Sequence, residues 1–160
     1  MDRARLNEIL EKHKKWLNFE NDGVRADLSH SDLSQSDLSY SDMSHSNMRH
    51  SDMSHSDMSR SNLLGSNLRG SNLSHSNIDY SCWPLWCGSL DVHIDVRIAR
   101  QLLYHLMRPC LVSPDVSEDF KRALFTPELI AEANKFHRVE DCGQIYSPFE
   151  DEEENHGQSN

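Results

Sequence analysis

The chain has 160 residues, a formal net charge of -10 and 36% hydrophobic residues. This length suits one domain, and neither a run of 18 apolar residues nor a signal peptide is present, so we expect a soluble protein of the bacterial or host cytoplasm without a membrane partner. The acidic balance also argues against direct binding of nucleic acid, which is typical of basic surfaces.

Residues 1–25 contain a predicted amphipathic helix over residues 2–19, because apolar residues recur there at spacings of three and four. The turn-forming sequence Asn21-Asp22-Gly23 ends it. We expect this helix to cap the open end of the segment that follows, since an exposed backbone edge invites aggregation.

Residues 26–83 carry a five-residue repeat. A helix of period 3.6 drifts off this spacing, and a strand of period two sends successive apolar residues to opposite faces. A coil of four short sides fits, because position i and position i−2 then point inward and stack on residues twenty positions later. Position i−2 is Ala or Ser, position i−1 is Asp or Asn, and the eleven apolar residues at position i are Leu28, Leu33, Leu38, Met43, Met48, Met53, Met58, Leu63, Leu68, Leu73 and Ile78.

This A/S-D/N-L/M-x-x pattern resembles that of the pentapeptide-repeat family, and a phage or bacterial member is expected. The resemblance implies an all-β solenoid core, a right-handed quadrilateral β-helix of just under three coils. The helices predicted on either side of the repeats would add N- and C-terminal α-helical caps. The chain departs from the family in using Ser at i−2 from Ser31 to Ser81, where the family favours Ala or Cys. A buried hydroxyl needs a partner, and we predict a backbone carbonyl of an adjacent coil.

Carboxylates at position i−1 decline along the repeats, from four in coil one to two in coil two and none in coil three. Stacked coils lie about 4.8 Å apart, where like charges repel, and Asn relieves the repulsion. Two interpretations stay open. Either Asp and Asn serve turn or ladder hydrogen bonds, or the carboxylates form an acidic face that binds a partner, with candidate residues Asp27, Asp32, Asp37, Asp42, Asp52 and Asp57.

Position i+2 also faces outward. Tyr40, Arg60 and Tyr80 lie above one another there, which predicts a guanidinium between two phenol rings or a second partner-binding patch. Imidazoles stack at the same position and are either solvated or a pH-sensitive face. The stacked pairs are His30 with His50 and His55 with His75.

The period breaks at Cys82-Trp83-Pro84, because proline cannot continue a ladder. A C-terminal helical cap is predicted over residues 84–146, with helices over 94–107, 114–124 and 127–138. Their surplus apolar surface predicts a homodimer contact through residues 94–138, with packing inside the cap as the alternative. Residues 147–160 are predicted to be an acidic disordered tail.

Four cysteines lie outside the repeats and are expected to be reduced thiols. A zinc site joining Cys82, Cys87 and His93 is the alternative, although C-x4-C spacing is weak support for it. No other metal or cofactor is predicted. The chain also lacks a Gly-rich phosphate loop, HExxH and G-x-S-x-G, and its Ser, His and Asp residues recur at repeat positions, so we predict a non-enzyme.

Two classes of function remain. Characterised proteins with similar repeats present an acidic rod and inhibit DNA-handling enzymes such as type II topoisomerases, and small phage inhibitors of host defence, including anti-CRISPR proteins, use similar mimicry. The resemblance therefore implies a DNA mimic that inhibits a bacterial nucleic-acid-binding complex, either a CRISPR effector or other defence system or a type II topoisomerase. The alternative is a scaffold that binds a protein partner without nucleic-acid mimicry.

Overall fold

A computed structural model describes residues 1–85 and 87–149. The chain divides into two compact units, Met1–Asp95 and a unit that begins at Val96. None of the described helices combines the length and hydropathy that crossing a bilayer requires. The helices are α1 (Arg3–Leu17), a short 3-10 helix (Cys87–Ser89), α2 (Val96–Val112), α3 (Glu118–Leu124), α4 (Pro127–Ala133) and α5 (Val139–Cys142).

Helix α1 lies close to the predicted bounds. Asp2 caps it, because its Oδ1 accepts a hydrogen bond from Arg5 N at 2.8 Å. The helix ends at Leu17, and Phe19 has a left-handed φ of 56°. Leu6 and His13 are its buried residues, so one side of the helix packs while the other faces solvent.

The repeats form coils of twenty residues, as their period predicts. Parallel backbone bridges join the residues at i−1 from Asp27 to Asn62 to the residues twenty positions later, beginning with Asp27 and Asn47. Leu28 N donates to Asn47 O at 2.7 Å, and Asn47 N donates to Ala26 O at 3.0 Å. All eleven apolar residues at position i are buried, with Ile78 the most exposed at 4%. The core of this unit is therefore a set of stacked apolar columns.

The structure differs from the expected all-β core in one respect. The described repeats pair through isolated backbone bridges rather than through regular strands. Each repeat contains a β-turn, in which Ser31 N donates to Leu28 O at 3.3 Å in the first copy. Because the turn occupies most of each five-residue side, one residue per side forms a bridge, and a further hydrogen bond such as His30 N to Arg49 O joins the turns of successive coils.

Position i+2 adopts a left-handed backbone conformation in these turns, with φ between 55° and 61° at the non-glycine residues from His30 to Tyr80. Gly65 and Gly70 occupy two of these positions, with φ of 67° and 70°. A Cβ atom on Gly70 would lie 2.5 Å from His50 Nδ1 of the preceding coil. Glycine at residue 70 thus serves both the turn and the close approach of an imidazole.

Gly70→Ala is expected to lower the free energy of unfolding by about 1–2 kcal/mol, the usual cost of a left-handed L-residue, with a further loss from the contact with His50. The further loss should vanish when His50 is also changed to alanine. Urea unfolding of the two single variants and the double variant measures this coupling. An equal effect of Gly70→Ala in both backgrounds would show that the imidazole plays no part.

The predicted partners of the buried serines are wrong in detail. Ser51 Oγ donates to Met48 O at 2.6 Å, in the same coil rather than an adjacent one. Ser66, Ser71 and Ser76 also donate to the carbonyl three residues earlier. The turn brings that carbonyl close, while the carbonyls at i−2 already accept backbone N–H groups from the next coil. Among the described residues, three buried serine hydroxyls have no hydrogen-bond partner, those of Ser46, Ser56 and Ser61.

Backbone pairing continues past residue 83, where the coil was predicted to end. Leu68 N donates to Gly88 O at 2.6 Å, and Leu73 N donates to His93 O at 2.8 Å. The backbone carbonyls of Gly88, Leu90 and His93 accept hydrogen bonds from N–H groups of coil three, although these residues lie outside the repeat pattern. The bridge from Asn72 to His93 spans twenty-one residues, so the passage past Pro84 includes one extra residue.

The second unit has its own core. The spacing of four between Ile94, Ile98, Leu102 and Leu106 predicts the apolar face of α2, and Ile98 is buried as expected, but the rest of the buried face is rotated away from this stripe. Leu106, predicted to be on the apolar face, is 49% exposed. Tyr104 is buried instead, and its hydroxyl donates to Gly143 O at 2.6 Å. The helix also continues through Pro109, beyond the predicted end at residue 107, because Cys110 packs in the core. That core comprises Tyr104, Met107, Cys110, Phe125, Ala133, Phe136 and Ile145.

The remaining helix bounds also differ from the prediction. Helix α3 begins after Ser117, whose Oγ accepts from Phe120 N, rather than at Pro114. Helix α4 begins after Thr126 as predicted but ends at Ala133. Within the predicted tail, Phe149 contacts α3, because Arg122 Cζ lies 4.2 Å from its ring centroid. The rest of the predicted tail lies outside the described residues.

Candidate functional site

Side chains at i−1 hold the turn of their own repeat. Asp27 Oδ1 accepts hydrogen bonds from Ser29 N at 3.0 Å and Ser29 Oγ at 2.6 Å. Asn72 Oδ1 accepts the same pair of bonds from Ser74, at 3.1 and 2.8 Å. Asp and Asn are therefore interchangeable for this turn, and its hydrogen bonds use one oxygen of each side chain.

These bonds also stabilise the charged form of the carboxylates. The Ser hydroxyl two residues ahead, followed by its backbone N–H, lowers the pKa of Asp27, Asp32 and Asp37 below the ordinary range. The pKa of Asp52 is lowered chiefly by the Ser54 N–H. For Asp42, burial acts to raise the pKa, but hydrogen bonds from Ser44 outweigh it. These exposed side chains are ionised at neutral pH, with Oδ2 left outside the turn.

The six candidate carboxylates do not share one face. Asp27, Asp32, Asp37 and Asp42 occupy the four pairing positions around coil one, so each begins a different column. Two columns carry a second carboxylate, and these four residues are the paired carboxylates: Asp32 with Asp52 and Asp37 with Asp57.

Asparagine side chains stand next to carboxylates in the other stacked positions. Asn47 Nδ2 donates to Asp27 Oδ1 at 3.0 Å, and Asn72 Nδ2 donates to Asp52 Oδ1 at 3.2 Å. An amide above a carboxylate thus replaces repulsion with a hydrogen bond. Where no amide intervenes, Asp32 acts to raise the pKa of Asp52.

The residues Tyr40, Arg60 and Tyr80, called here the Tyr-Arg-Tyr column, stack as expected. Arg60 Cζ lies 5.4 Å from the Tyr40 ring centroid and 5.1 Å from that of Tyr80. Both rings are well exposed, at 71% for Tyr40 and 61% for Tyr80. The column therefore presents two phenol rings and a guanidinium to solvent.

The predicted imidazole stacks are also present. Ring centroids are 5.1 Å apart for His30 and His50, and 4.9 Å apart for His55 and His75. Asp95 Oδ2 lies 3.3 Å from His75 Nδ1. The second stack thus has a carboxylate at one end.

His13 is a residue whose role the sequence reasoning missed. It is fully buried, its Nδ1 accepts from Ala26 N at 3.1 Å, and its Nε2 lies 2.9 Å from Ser44 O. Nε2 must carry the proton, because Nδ1 accepts and a carbonyl faces Nε2. A neutral imidazole thereby joins α1 to the start and the end of coil one. The signal in the sequence that could have indicated this role is the presence of a histidine among the apolar residues of the predicted helix.

Protonation of His13 would end the bond from Ala26 N, and burial lowers its pKa. The unfolded chain then binds a proton more readily than the folded one below the ordinary pKa of about 6.5. Stability is fully present above that pH and is expected to fall as pH decreases toward 5, with a slope of at most about 1.4 kcal/mol per pH unit. Urea unfolding of wild type and His13→Gln between pH 5 and 8 measures it. The variant should be less stable but should lose this slope, and an unchanged slope would contradict the assignment.

The cysteines are unpaired thiols, with Cys110 buried and Cys82, Cys87 and Cys142 exposed. Within residues 1–85 and 87–149, no three His, Cys, Asp or Glu side chains converge as they would around a metal ion. The zinc alternative at Cys82, Cys87 and His93 therefore has no geometric support.

Comparisons with known proteins concern the repeats. The family model Pentapeptide repeats matches residues 26–65 and 54–82, with eight copies. Similar solved structures include the pentapeptide repeat protein Rfr23 from the cyanobacterium Cyanothece 51142, at 22% identity over 43% of this chain and 50% of that chain, with a TM-score of 0.25. A pentapeptide repeat protein from the Arabidopsis thaliana thylakoid lumen is 16% identical over 50% of this chain and 75% of that chain, with a TM-score of 0.26.

QnrB1, a plasmid-mediated fluoroquinolone resistance protein, is 17% identical over 50% of this chain and 43% of that chain, with a TM-score of 0.19. This chain thus spans half the length of Rfr23 and less than half of QnrB1. No curated protein sequence matches it. The five-residue period, the twenty-residue coils and the family match agree, and the chain carries pentapeptide repeats over residues 26–82.

Proposed function

We propose that the protein is a non-catalytic inhibitor that places its repeat carboxylates in the DNA site of a bacterial nucleic-acid-binding complex. The observation that carries this is the fixed array of carboxylates at i−1, in which turn hydrogen bonds hold Oδ1 and, for Asp27, Asp32 and Asp37, lower the pKa. A DNA-binding site recognises fixed negative charge through its Lys and Arg residues. The hydroxyls of Ser29 and Ser51 are engaged in hydrogen bonds within the turns. This structural role of the repeat serines supports the non-catalytic part of the proposal.

Charge density supports the same proposal. Coils one and two carry six carboxylates, and two coils at a spacing of about 4.8 Å give one charge per about 1.6 Å of axis. Duplex DNA carries one charge per about 1.7 Å. Coil three has only Asn at these positions, so the array equals about three base pairs in length at 3.4 Å each.

Such a short array fits a CRISPR effector, which reads a short duplex motif, better than the long DNA gate of a type II topoisomerase. We further infer that the coils form a right-handed quadrilateral β-helix, as the family implies. Its four sides would correspond to the four bridged positions of each coil. The site of action would be the bacterial or host cytoplasm.

A protein-binding scaffold without mimicry is the second candidate. It is favoured by the turn hydrogen bonds that Asp27 and Asn72 both accept, because these bonds give the carboxylates a structural role that needs no charge. The Tyr-Arg-Tyr column offers such a scaffold a binding surface, since Tyr and Arg are frequent interface anchors.

The experiment that separates these candidates begins with affinity capture from a bacterial lysate over a salt series. The mimic should retain a nucleic-acid-binding complex, less of it as salt rises, and added duplex DNA should compete. Retention of a partner that neither salt nor DNA displaces would favour the scaffold.

A homodimer through the second unit is also predicted. Exposed apolar side chains within residues 94–138 motivate it, including Leu106 at 49%, Val112 at 79% and Phe120 at 50% exposure. Sedimentation velocity should show a dimer at micromolar concentration, and Val112→Glu should shift it to monomer. A wild-type monomer at high micromolar concentration would remove the idea.

A further inference from the structure

Arg60 is held in one orientation by its neighbours in the first unit. The guanidinium lies over both tyrosine rings, with Cζ 5.4 Å from the Tyr40 ring centroid and 5.1 Å from the Tyr80 ring centroid. Its backbone is fixed as well, because Arg60 N donates to Asp79 O at 2.8 Å and φ is 58°. The guanidinium carries its N–H donors in one plane, where they can hydrogen-bond a planar acceptor.

The charge of Arg60 has no ion-pair partner among the described residues, whereas Arg5 pairs with Glu8 and Arg69 with Asp91. The carboxylates that begin the repeats of Tyr40 and Arg60 are engaged elsewhere. Asp37 Oδ1 accepts from Ser39, and Asp57 Oδ1 accepts from Ser59 N and Asn77 Nδ2. The column thus presents an oriented, exposed cation with donors in one plane.

An open groove continues from the column along α1. It has a volume of about 720 Å³, and its wall includes Leu10, Leu17, Lys14, Asp42 and Tyr40. Tyr40 therefore belongs to both features, with one ring face toward Arg60. The groove offers apolar surface from the two leucines, Lys14 and Glu11 also line it, and Tyr40 links it to the guanidinium.

We propose that the Tyr-Arg-Tyr column binds a carboxylate side chain of a protein partner, with a neighbouring apolar side chain of that partner in the groove. A planar guanidinium matches a carboxylate with two parallel hydrogen bonds, and a clamped side chain loses little entropy on binding. The nearby Asp37, Asp42 and Asp57 favour a singly charged carboxylate over a doubly charged phosphate, since repulsion grows with ligand charge. This site does not depend on the proposed mimicry.

The test is a nuclear magnetic resonance titration of the full chain with the blocked peptide Gly-Leu-Gly-Glu-Gly at neutral pH and 150 mM salt. The peptide should shift the Arg60 Nε–H signal, and the peptide with Gln in place of Glu should not. Arg60→Gln and Arg60→Lys should each raise the Kd at least tenfold, because lysine keeps the charge but lacks the planar fork. Arg49→Gln removes an exposed, unstacked arginine of the same coil and should leave the Kd unchanged.

Three results would overturn the proposal. Equal shifts from the Glu and Gln peptides would exclude carboxylate recognition. This comparison uses the wild-type protein, so it remains valid even if a variant fails to fold. An unchanged Kd in Arg60→Gln would place the site elsewhere. Tighter binding of the matching phosphoserine peptide would replace the carboxylate with a phosphate.

Discussion

Met53→Asp is expected to unfold the first unit. Met53 is fully buried, between Leu33 and Leu73 of the neighbouring coils, which are also fully buried. The column offers a new carboxylate no water, and the backbone N–H groups nearby are already paired, for example Met53 N with Asn72 O at 2.8 Å. Burying an unpaired charge costs several kcal/mol or forces its protonation, against a total stability of about 5–15 kcal/mol.

Thermal unfolding followed by circular dichroism measures the result. Met53→Leu is the matched control for side-chain size, since coils one and three carry leucine in this column, and it should change stability by less than about 1.5 kcal/mol. Leu64→Asp makes a comparable change at a side chain that is 60% exposed, where an effect within about 0.5 kcal/mol is expected. An unchanged melting temperature for Met53→Asp would contradict the inward position of the apolar residues.

The stacked apolar core of the repeats could be predicted from the sequence, because the five-residue period places the same positions inward in every coil. A residue at position i has the same neighbours in each coil, so one assignment fixes eleven side chains, and the Tyr-Arg-Tyr column and imidazole stacks follow from the spacing of twenty. The continuation to His93 was not predictable in this way. It rests on backbone hydrogen bonds, which leave no mark in the side-chain pattern.

The features that could not be predicted from the sequence depend on individual hydrogen bonds. The buried face of α2 includes Tyr104 because its hydroxyl finds the carbonyls of Cys142 and Gly143, and spacing alone favoured Leu106 instead. Ser51 bonds to Met48 O because the turn folds back on itself. His13 lies on the apolar face of α1, yet both of its ring nitrogens make hydrogen bonds. The spacing of apolar residues cannot distinguish this bridging role from that of an ordinary core histidine.

Changing the six candidate carboxylates to asparagine is expected to preserve the fold and abolish the proposed mimicry. Coil three already has this chemistry, because Asn72 Oδ1 and Asn77 Oδ1 accept from Ser74 N and Asp79 N, each at 3.1 Å. Binding to a basic DNA site should weaken at least about a hundredfold, since the loss of one partner from a buried charge pair costs about 2–5 kcal/mol. The substituted residues are Asp27, Asp32, Asp37, Asp42, Asp52 and Asp57.

The six-asparagine variant must test whether binding depends on the position of the negative charges rather than on the total charge of the protein. Changing the acidic residues at positions 150–154 to amides removes five negative charges and is the matched control, in which affinity should change far less than in the six-asparagine variant. A third variant, with only the paired carboxylates changed, should lose most of the affinity if the partner contacts those two columns. Binding and salt dependence are measured on the captured partner, with the melting temperature as the check on folding. If the six-asparagine protein folds and binds that partner with undiminished affinity, the carboxylates serve only the turns, and the protein is a scaffold.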